Sequence, residues 1–226
     1  MKASPIRCLV SAGPTREFFD PVRFLSNPSS GKMGYALAEA AARRGWEVEL
    51  ISGPVSLPNP ENVRVERVVT GQEMFEAISR RFPDCDVLIM TAAIMDYRPK
   101  VVADHKIKKY ELEMVIEMEP VTDVLATVAR EKDHQLVVGF AAETNDLVSN
   151  AMKKLQSKNA DFIVGNLIGG ARSTFGRDDN EVVVISRKNE PVRIGPLPKP
   201  ELASRLLDLF EPRMRDVFDD SIGRKA

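Results

Sequence analysis

The chain has 226 residues, of which 43% are hydrophobic, so one large α/β domain spanning residues 1–226 is long enough to enclose a sizeable core. Its 32 lysines and arginines nearly balance its 33 aspartates and glutamates, which excludes a chain-wide basic surface for nucleic acid or for a membrane. No apolar run reaches membrane-spanning length and the N-terminus lacks the pattern of a signal peptide, so we expect a cytoplasmic protein.

Apolar runs alternate with helical patterns along the chain, which predicts a parallel sheet covered by helices on both faces. The predicted strands are residues 6–11, 48–52, 63–68, 87–91, 136–140, 162–164 and 182–186. The predicted helices are residues 31–44, 72–81, 123–131, 146–158 and 200–210. This order predicts an α/β fold with a Rossmann-like, mostly parallel sheet, a class that binds ligands at the carboxyl ends of its strands.

Residues 110–118 have apolar side chains at every second position and do not fit the parallel order. Together with the lysine-rich stretch before them, they predict a flap or arm hairpin around residues 104–118. Periodicity leaves two interpretations open: a flap that closes over a site, or an exposed edge strand protected by lysines. The tail, about residues 218–226, is predicted to be frayed.

The cysteines and histidines indicate no metal site and no disulfide. Cys8 lies in the first predicted strand and Cys85 lies just before another, and neither has a CxxC partner. We therefore expect two buried free thiols. His105 and His134 are isolated, and we expect both to be surface histidines.

The stretch "FLSNPSSGKMG", residues 24–34, is typical of a phosphate site but fits neither common phosphate motif. Ser26 stands where a P-loop needs glycine, and Met33 stands where it needs Ser or Thr. The dinucleotide glycine triplet is also missing, since only Gly13 follows the first strand. The residues after the stretch predict a helix with Ser29 or Ser30 as its N-cap. The free N–H groups of its first turn would then face an anion.

Polar and glycine-rich motifs follow four of the predicted strands. They are "SAGPTRE", "TAAIMDYRP", "AAETN" and "NLIGG". Because the carboxyl ends of parallel strands meet at one edge of a sheet, we expect these motifs to form a small-molecule site there.

Several strings in this order resemble one family, the phosphopantothenoylcysteine synthetases, which are the ligases of coenzyme A biosynthesis. The strings are "SAGPTREFFDPVRFLSNPSSGKMG", "ISGPVSLP", "AAIMDYRP", "KIKK", "GFAAETN" and "STFGRDDNEVVVI". The resemblance runs from about residue 6 to residue 210 and is to the bacterial, CTP-dependent type. Bacterial members are often fused behind a flavin-dependent decarboxylase that this chain lacks, so we expect either a monofunctional form or one half of a fusion.

The resemblance implies a two-step reaction. The carboxylate of 4′-phosphopantothenate attacks the α-phosphate of CTP to give an acyl-cytidylate and pyrophosphate, and the amine of cysteine then displaces CMP. Mg²⁺ is expected from the triphosphate chemistry rather than from any cluster of ligands in the sequence. The resemblance also implies a homodimer, with the arm near the partner subunit, and a functional pairing with a separate phosphopantothenoylcysteine decarboxylase.

Three matched positions are implied to be catalytic. Asn27 matches the asparagine that holds the acyl-nucleotide, Arg23 matches an arginine of the same segment, and Lys106 of "DHKIKK" matches the lysine of the second step. Standing alone, Asn27 has the alternative interpretation of a turn residue or helix cap. Arg23 has the alternative of a surface ion pair with Asp20 or Glu17. The match to Lys106 favours the closing flap over the protected edge strand.

The nucleotide-binding residues implied by the same matches lie at the strand ends and on one helical face. They are Gly13, Ser29, Ser30, Gly31, Ala92, Ala93, Asp96, Thr122, Asp123, Val124, Leu125, Phe140, Lys154 and Lys158. The two lysines have the alternative interpretation of a solvated helix face. Met95 departs from the family, which usually has alanine there, so an ATP-dependent version of the ligase stays open as an alternative.

Two further function classes compete with the ligase. An NAD(P)-dependent oxidoreductase has the same fold class, but it needs the glycine triplet that is missing here. A ligand-sensing module would bind nucleotide without turnover, and binding alone would not require both Asn27 and Lys106.

Overall fold

The structure is a computed structural model that describes residues 4–109, 114–168, 178–187 and 189–223, with side chains described up to Met214. The strands are β1 Arg7–Ala12, β2 Arg16–Phe18, β3 Phe24–Ser26, β4 Glu47–Ser52, β5 Val63–Arg67, β6 Val87–Met90, β7 Tyr97–Pro99, β8 Met118–Pro120, β9 Leu136–Glu143, β10 Phe162–Leu167, β11 Asp179–Ser186 and β12 Val192–Pro198. The helices are α1 Lys32–Arg43, α2 Gly71–Arg81, α3 Val124–Arg130, α4 Leu147–Ser157 and α5 Lys199–Gly223, with a 3-10 turn at Phe82–Asp84.

Eight strands form the central sheet in the order β12-β11-β10-β9-β6-β1-β4-β5. The six strands from β10 to β5 are parallel, and β11 and β12 add an antiparallel pair at one edge. The predicted mostly parallel α/β fold is therefore confirmed. The carboxyl ends of the parallel strands all lie at one edge of the sheet, which is where such folds bind ligands.

Alternating residues of the inner strands supply the two hydrophobic cores. Val10 and Ile89 face the side covered by α1 and α5, whereas Leu9 and Leu88 face the side covered by α2, α3 and α4. Successive strand residues point to opposite faces, so burial on both faces needs a continuous apolar run such as β6. This double burial explains why the inner strands were recognisable in the sequence.

Strand β12 was not predicted. It contains Gly195, Pro196 and Pro198, residues that argue against an inner strand. Proline is tolerated here because β12 lies at the edge of the sheet and pairs only with β11. Strands β9 and β10 also run three residues beyond their predicted ends at residues 140 and 164, into the polar motifs.

The arm, whose described residues between β7 and β8 are 100–109 and 114–117, is flanked by these two strands, which pair antiparallel in a small separate sheet. Of the strand or hairpin predicted from the alternation over residues 110–118, only Met118 lies in a strand, β8; residues 114–117 form none, and residues 110–113 lie outside the described part. Met114 and Met118, which belong to the alternating apolar series, are 52% and 37% exposed, so this series has no fully buried face to pack against.

Helix α5 was predicted to end at residue 210 but continues to Gly223, with Pro212 inside it. It therefore overlaps the segment expected to be frayed, and fraying of that tail stays a prediction. The assignment of residues 1–226 to one domain likewise stays a prediction.

Candidate functional site

A cavity of about 590 Å³ opens at the carboxyl ends of the parallel strands. Its walls include the N-terminal turns of α1 and α3, the loop after β6 and one face of α4. The predicted site residues that line it are Asn27, Ser29, Ser30, Gly31, Ala92, Ala93, Asp96, Thr122, Asp123, Val124, Leu125, Phe140, Lys154 and Lys158. Gly13, Arg23 and Lys106 do not line it.

Helix α1 begins in a different way from the one predicted. Its N-cap is Gly31, in the left-handed conformation with φ of 74°, rather than Ser29 or Ser30. The Ser29 hydroxyl accepts a hydrogen bond from the Gly31 N–H at 3.4 Å, so it caps the turn before the helix. The following N–H groups of the first turn have no partner one turn earlier, as in any helix, and they lie at the cavity. The arrangement suits an anion even though the capping residue was mispredicted.

The Gly13 backbone packs against this turn. A side-chain carbon added at Gly31 would lie 3.4 Å from the Gly13 backbone and 2.9 Å from Val55 Cγ1. The Gly13 carbonyl also accepts a hydrogen bond from the Ala93 N–H at 2.9 Å. Gly13 therefore holds the α1 turn and the β6 loop together without lining the cavity itself.

Asn27 connects the same two parts of the wall through its side chain. Its Nδ2 donates to the carbonyl oxygens of Ala93 and Ile94, each at 3.2 Å. The side chain therefore does not cap a helix. The Asn27 backbone carbonyl accepts from the Ser29 N–H at 2.8 Å. Its Oδ1 makes no hydrogen bond within the described part of the chain.

The two predicted lysines of α4 both line the cavity and both carry ion pairs. Lys154 Nζ lies 2.6 Å from Glu143 Oε1, and Lys158 Nζ lies 2.9 Å from Asp123 Oδ2. Asp123 also caps α3 by accepting from the Ala126 N–H at 3.0 Å. The spacing of four residues thus puts both ammonium groups on one helical face, as predicted.

A second basic corner of the cavity, formed by Lys32 and Lys199, was not predicted from the sequence. Lys32 Nζ lies 2.6 Å from Asp178 Oδ1, and this contact holds the pKa of Asp178 below its usual range. Lys199 is only 6% exposed, and burial, then the nearby charge of Lys32, lower its pKa. Lys32 stands inside the phosphate-like stretch and could have been found, whereas Lys199 follows the unpredicted strand β12 and carries no signal of its own.

Arg23 lies outside the cavity and makes the ion pair that was its alternative interpretation. Its Nε and Nη2 donate to Asp20 Oδ2 at 2.9 and 2.5 Å. Asp20 is completely buried, and the Arg23 guanidinium beside it holds the pKa of that carboxyl well below its usual range. Lys106 is exposed on the arm.

Two further classes of feature are absent from the described residues. They contain no group of three or more His, Cys, Asp or Glu side chains that would hold a metal ion. Within the same ranges, no helix combines the length and the apolar composition needed to cross a membrane.

Asp96 is a carboxylate at the cavity that forms no side-chain hydrogen bond or ion pair with the rest of the described chain. It is therefore available to a cation whose other ligands come mostly from phosphate and water.

Comparison with known proteins identifies the family. The model of the DNA/pantothenate metabolism flavoprotein C-terminal domain matches residues 4–212. The chain is 44% identical over 206 residues to the coenzyme A biosynthesis bifunctional protein CoaBC of Escherichia coli (strain K12), covering 89% of this chain and 50% of that protein. It is 42% identical over 203 residues to a cysteine/cysteine sulfinic acid decarboxylase of an unknown prokaryotic organism, covering 89% and 56%. It spans about half the length of these curated relatives.

A solved structure of the C-terminal domain of a coenzyme A biosynthesis bifunctional protein CoaBC matches almost throughout. The two chains are 43% identical with a TM-score of 0.80, and the match covers 93% of this chain and 96% of that one. The residues that line the cavity all lie within residues 4–212, the range that the family model matches. On the strength of both matches, the chain belongs to the family of DNA/pantothenate metabolism flavoprotein C-terminal domains.

Proposed function

We propose that this protein is a phosphopantothenate–cysteine ligase of coenzyme A biosynthesis that activates 4′-phosphopantothenate with CTP. The observation that carries the proposal is the cavity, because it joins Asn27, the first turn of α1 and the lysines of α4 at the sheet edge where such folds bind ligands. The matched relatives named CoaBC are coenzyme A biosynthesis proteins, and this chain corresponds to about half of each.

In the first step a bond forms between a carboxylate oxygen and the α-phosphorus, while the bond from that phosphorus to the β-phosphate oxygen breaks. Two anions must approach each other, so fixed positive groups have to offset their repulsion. The N–H groups at the start of α1 and the ammonium groups of Lys154 and Lys158 supply that field. Because each lysine is already ion-paired, the groups are held in place before the nucleotide arrives.

Asn27 positions the surface to which we assign the acyl-nucleotide. By holding the carbonyls of Ala93 and Ile94, its amide fixes the β6 loop against the α1 turn. We assign to this loop the acyl-nucleotide, with Ala92 and Ala93 small enough for close approach of the base. A neutral amide does this without adding negative charge beside the reacting phosphate.

In the second step the cysteine nitrogen attacks the acyl carbon, the bond from that carbon to the phosphate oxygen of CMP breaks, and the amine loses a proton. Negative charge then builds on the leaving phosphate, and Lys106 is the group we assign to stabilise it. Since Lys106 does not line the cavity, its side chain has to extend to the bound intermediate.

Further parts of the proposal rest on the same resemblance. Mg²⁺, held by Asp96 together with the triphosphate, would neutralise part of the phosphate charge when bound. We also propose a homodimer, a cytoplasmic location and a working relationship with a phosphopantothenoylcysteine decarboxylase. Met95 lines the cavity, and its N–H donates to Thr15 Oγ1 at 3.1 Å, so it is a fixed part of the surface that would distinguish CTP from ATP.

The test is a pyrophosphate-release assay with 4′-phosphopantothenate and Mg²⁺, run with CTP and with ATP, and with or without cysteine. We expect release with CTP, and an amide product only when cysteine is present. Reactions without 4′-phosphopantothenate control for simple nucleotide hydrolysis. A folded protein that releases no pyrophosphate with either nucleotide would refute the ligase, and release with ATP alone would refute the choice of CTP.

A matched pair of variants on α4 tests where the nucleotide binds. Lys154→Gln removes a charge from the cavity, whereas Lys153→Gln removes one from the exposed neighbouring position. We expect Lys154→Gln to raise the KM for CTP and Lys153→Gln to leave it near the wild-type value. Equal effects of the two substitutions would argue against this placement.

A further inference from the structure

The hairpin of β2 and β3 reaches both the cavity and the arm. Asn27 follows directly after β3 and lines the cavity. The turn at the other end of the hairpin contains Phe19, Asp20 and Arg23, which we call the Asp20 clamp. This turn contacts the arm far from it in sequence, so one short hairpin connects two parts of the proposed machinery.

Asp20 has no exposure to solvent and accepts hydrogen bonds on both carboxylate oxygens. Oδ1 accepts the N–H groups of Val22 and Arg23, each at 2.8 Å. Oδ2 accepts from the Arg23 guanidinium and from the Ile107 N–H, the latter at 3.2 Å. A buried carboxylate satisfied by so many donors is ionised and rigid.

The arm is held at two places by this clamp. The Arg23 Nη2 donates to the Ile107 carbonyl at 2.9 Å, so both backbone polar groups of Ile107 are engaged. The Ala103 N–H donates to the Phe19 carbonyl at 3.0 Å. The Arg23 guanidinium also lies over the Phe19 ring, 5.1 Å from its centroid, which fixes the plane of its fork.

We propose that Asp20 and Arg23 are positioning residues that fix the backbone of Ile107 and thereby set where the neighbouring Lys106 stands relative to Asn27. Arg23 acts through the arm and does not touch the substrate. This inference rests on the proposed function for the role of Lys106. The contacts themselves do not depend on that function.

The geometry limits what Lys106 can do. Its Cα lies about 3.8 Å from that of Ile107, the fixed distance between consecutive residues. With Ala103 and Ile107 both held, only residues 104–106 and their side chains remain free to adjust. A lysine at position 23 would keep the charge, but its single ammonium group cannot reproduce the fork that meets Asp20 and the Ile107 carbonyl together.

Two variants test the clamp, each with a matched control. Asp20→Asn removes the negative charge and places an amide NH₂ among the N–H groups that Asp20 accepts from. Arg23→Lys removes the guanidinium that contacts both Asp20 and the Ile107 carbonyl. The controls are Asp86→Asn and Arg7→Lys, since Arg7 donates to Asp86 through its backbone N–H at 2.7 Å and through Nη2 at 3.1 Å, in a pair outside the cavity and the arm. Thermal unfolding of all four shows whether they remain folded, and Arg23→Lys keeps the test available if Asp20→Asn does not fold.

The first readout does not involve activity. We expect faster hydrogen exchange at the Ile107 amide and faster tryptic cleavage at Lys106, Lys108 and Lys109 in both clamp variants, but not in the controls. Folded clamp variants with wild-type exchange and cleavage would overturn the inference.

The second readout separates the two half-reactions. We expect pyrophosphate release without cysteine to be largely retained and amide formation to fall by about 100-fold, because a catalytic group is displaced by a small distance. Loss of pyrophosphate release with an unchanged arm would overturn the inference and assign Arg23 to the substrate. If the clamp variants loosen the arm but the wild-type protein has no ligase activity, the proposed function and the role of Lys106 are refuted. The clamp itself then remains established.

Discussion

Single side chains in this protein act by joining segments that are distant in sequence. Asn27 holds the β6 loop, and Arg23 holds the arm, although the family resemblance implies a catalytic role for each. The ion pair of Arg23 with Asp20 was among the alternatives from sequence. The hydrogen bond from Arg23 to the Ile107 carbonyl, 84 residues away, was not predicted, because no local sequence pattern reveals such a contact.

For Asn27, substitution by Asp replaces the donor Nδ2 with an acceptor that faces the carbonyls of Ala93 and Ile94. The same change puts negative charge beside the proposed reacting phosphate. We expect acyl-nucleotide formation to slow by about 100-fold, because the loop is displaced from its reactive position. Rapid-quench measurement of the intermediate gives the rate. Asn59→Asp, on an exposed loop outside the cavity, is the control, and an Asn27→Asp enzyme with a normal rate would remove Asn27 from the site.

For Lys106, substitution by Gln removes the charge while keeping the length of the side chain nearly the same. We expect pyrophosphate release to continue and amide formation to fall by about 100-fold, the cost of losing one stabilising donor, so that the intermediate accumulates. Chromatography of quenched reactions measures the intermediate. Lys109→Gln, an exposed residue of the same segment, should behave as wild type. Loss of pyrophosphate release on Lys106→Gln would contradict this role.

At the scale of elements, the start of α1 forms one wall of the cavity. Its left-handed Gly31 lets the chain turn into the helix while Gly13 supports it from below. The helix itself was predictable from its apolar stripe. Its cap was not, because Ser29 and Ser30 are both good capping residues and the choice is made by contact with Gly13 and Val55, which lie elsewhere in the chain.

Two glycines offer a matched test of this turn. Gly31 and Gly45 both have positive φ, 74° and 78°, so alanine at either position should cost about 1–2 kcal/mol of unfolding free energy. An added carbon meets nothing within 4 Å at Gly45 but meets Val55 at 2.9 Å at Gly31. We therefore expect Gly31→Ala to destabilise more in urea titrations and also to weaken CTP binding. Equal losses of stability and unchanged binding would show that the turn tolerates a side chain.

The inner strands and four helices agree with prediction because double burial and the 3.6-residue period leave strong patterns. The short pairs β2–β3 and β7–β8 were missed, since three-residue strands such as Arg16–Phe18 are too short to show a period. For the site, most cavity residues were found through motifs at the strand ends. Lys199 was missed because its place depends on β12 being a strand.

At the scale of the whole molecule, the two cysteines lie near the amino ends of β1 and β6, at the opposite end of these strands from the cavity. Cys8 and Cys85 are 2% and 5% exposed, and burial raises the pKa of Cys85 to about 12 and that of Cys8 further. Free cysteine has a pKa near 8.5, so neither thiol ionises appreciably at neutral pH. The expected pair of buried free thiols is therefore confirmed.

The thiols provide a test of native packing. We expect a disulfide reagent such as DTNB at pH 8 to modify neither cysteine at the rate of glutathione until the protein is unfolded, because only the thiolate reacts and both groups are buried. Absorbance then reports two thiols per chain after denaturant is added. Modification of the folded protein at the rate of glutathione would contradict the burial of Cys8 and Cys85.

Both edges of the sheet are unsuited to recruiting further strands. On one side β12 carries Pro196 and Pro198, which lack the N–H needed to extend a ladder. On the other side β5 presents Arg64, Glu66 and Arg67, charges that discourage edge-to-edge pairing. Such edges protect the chain from open-ended polymerisation, so a stable assembly of copies has to form through other surfaces than sheet extension.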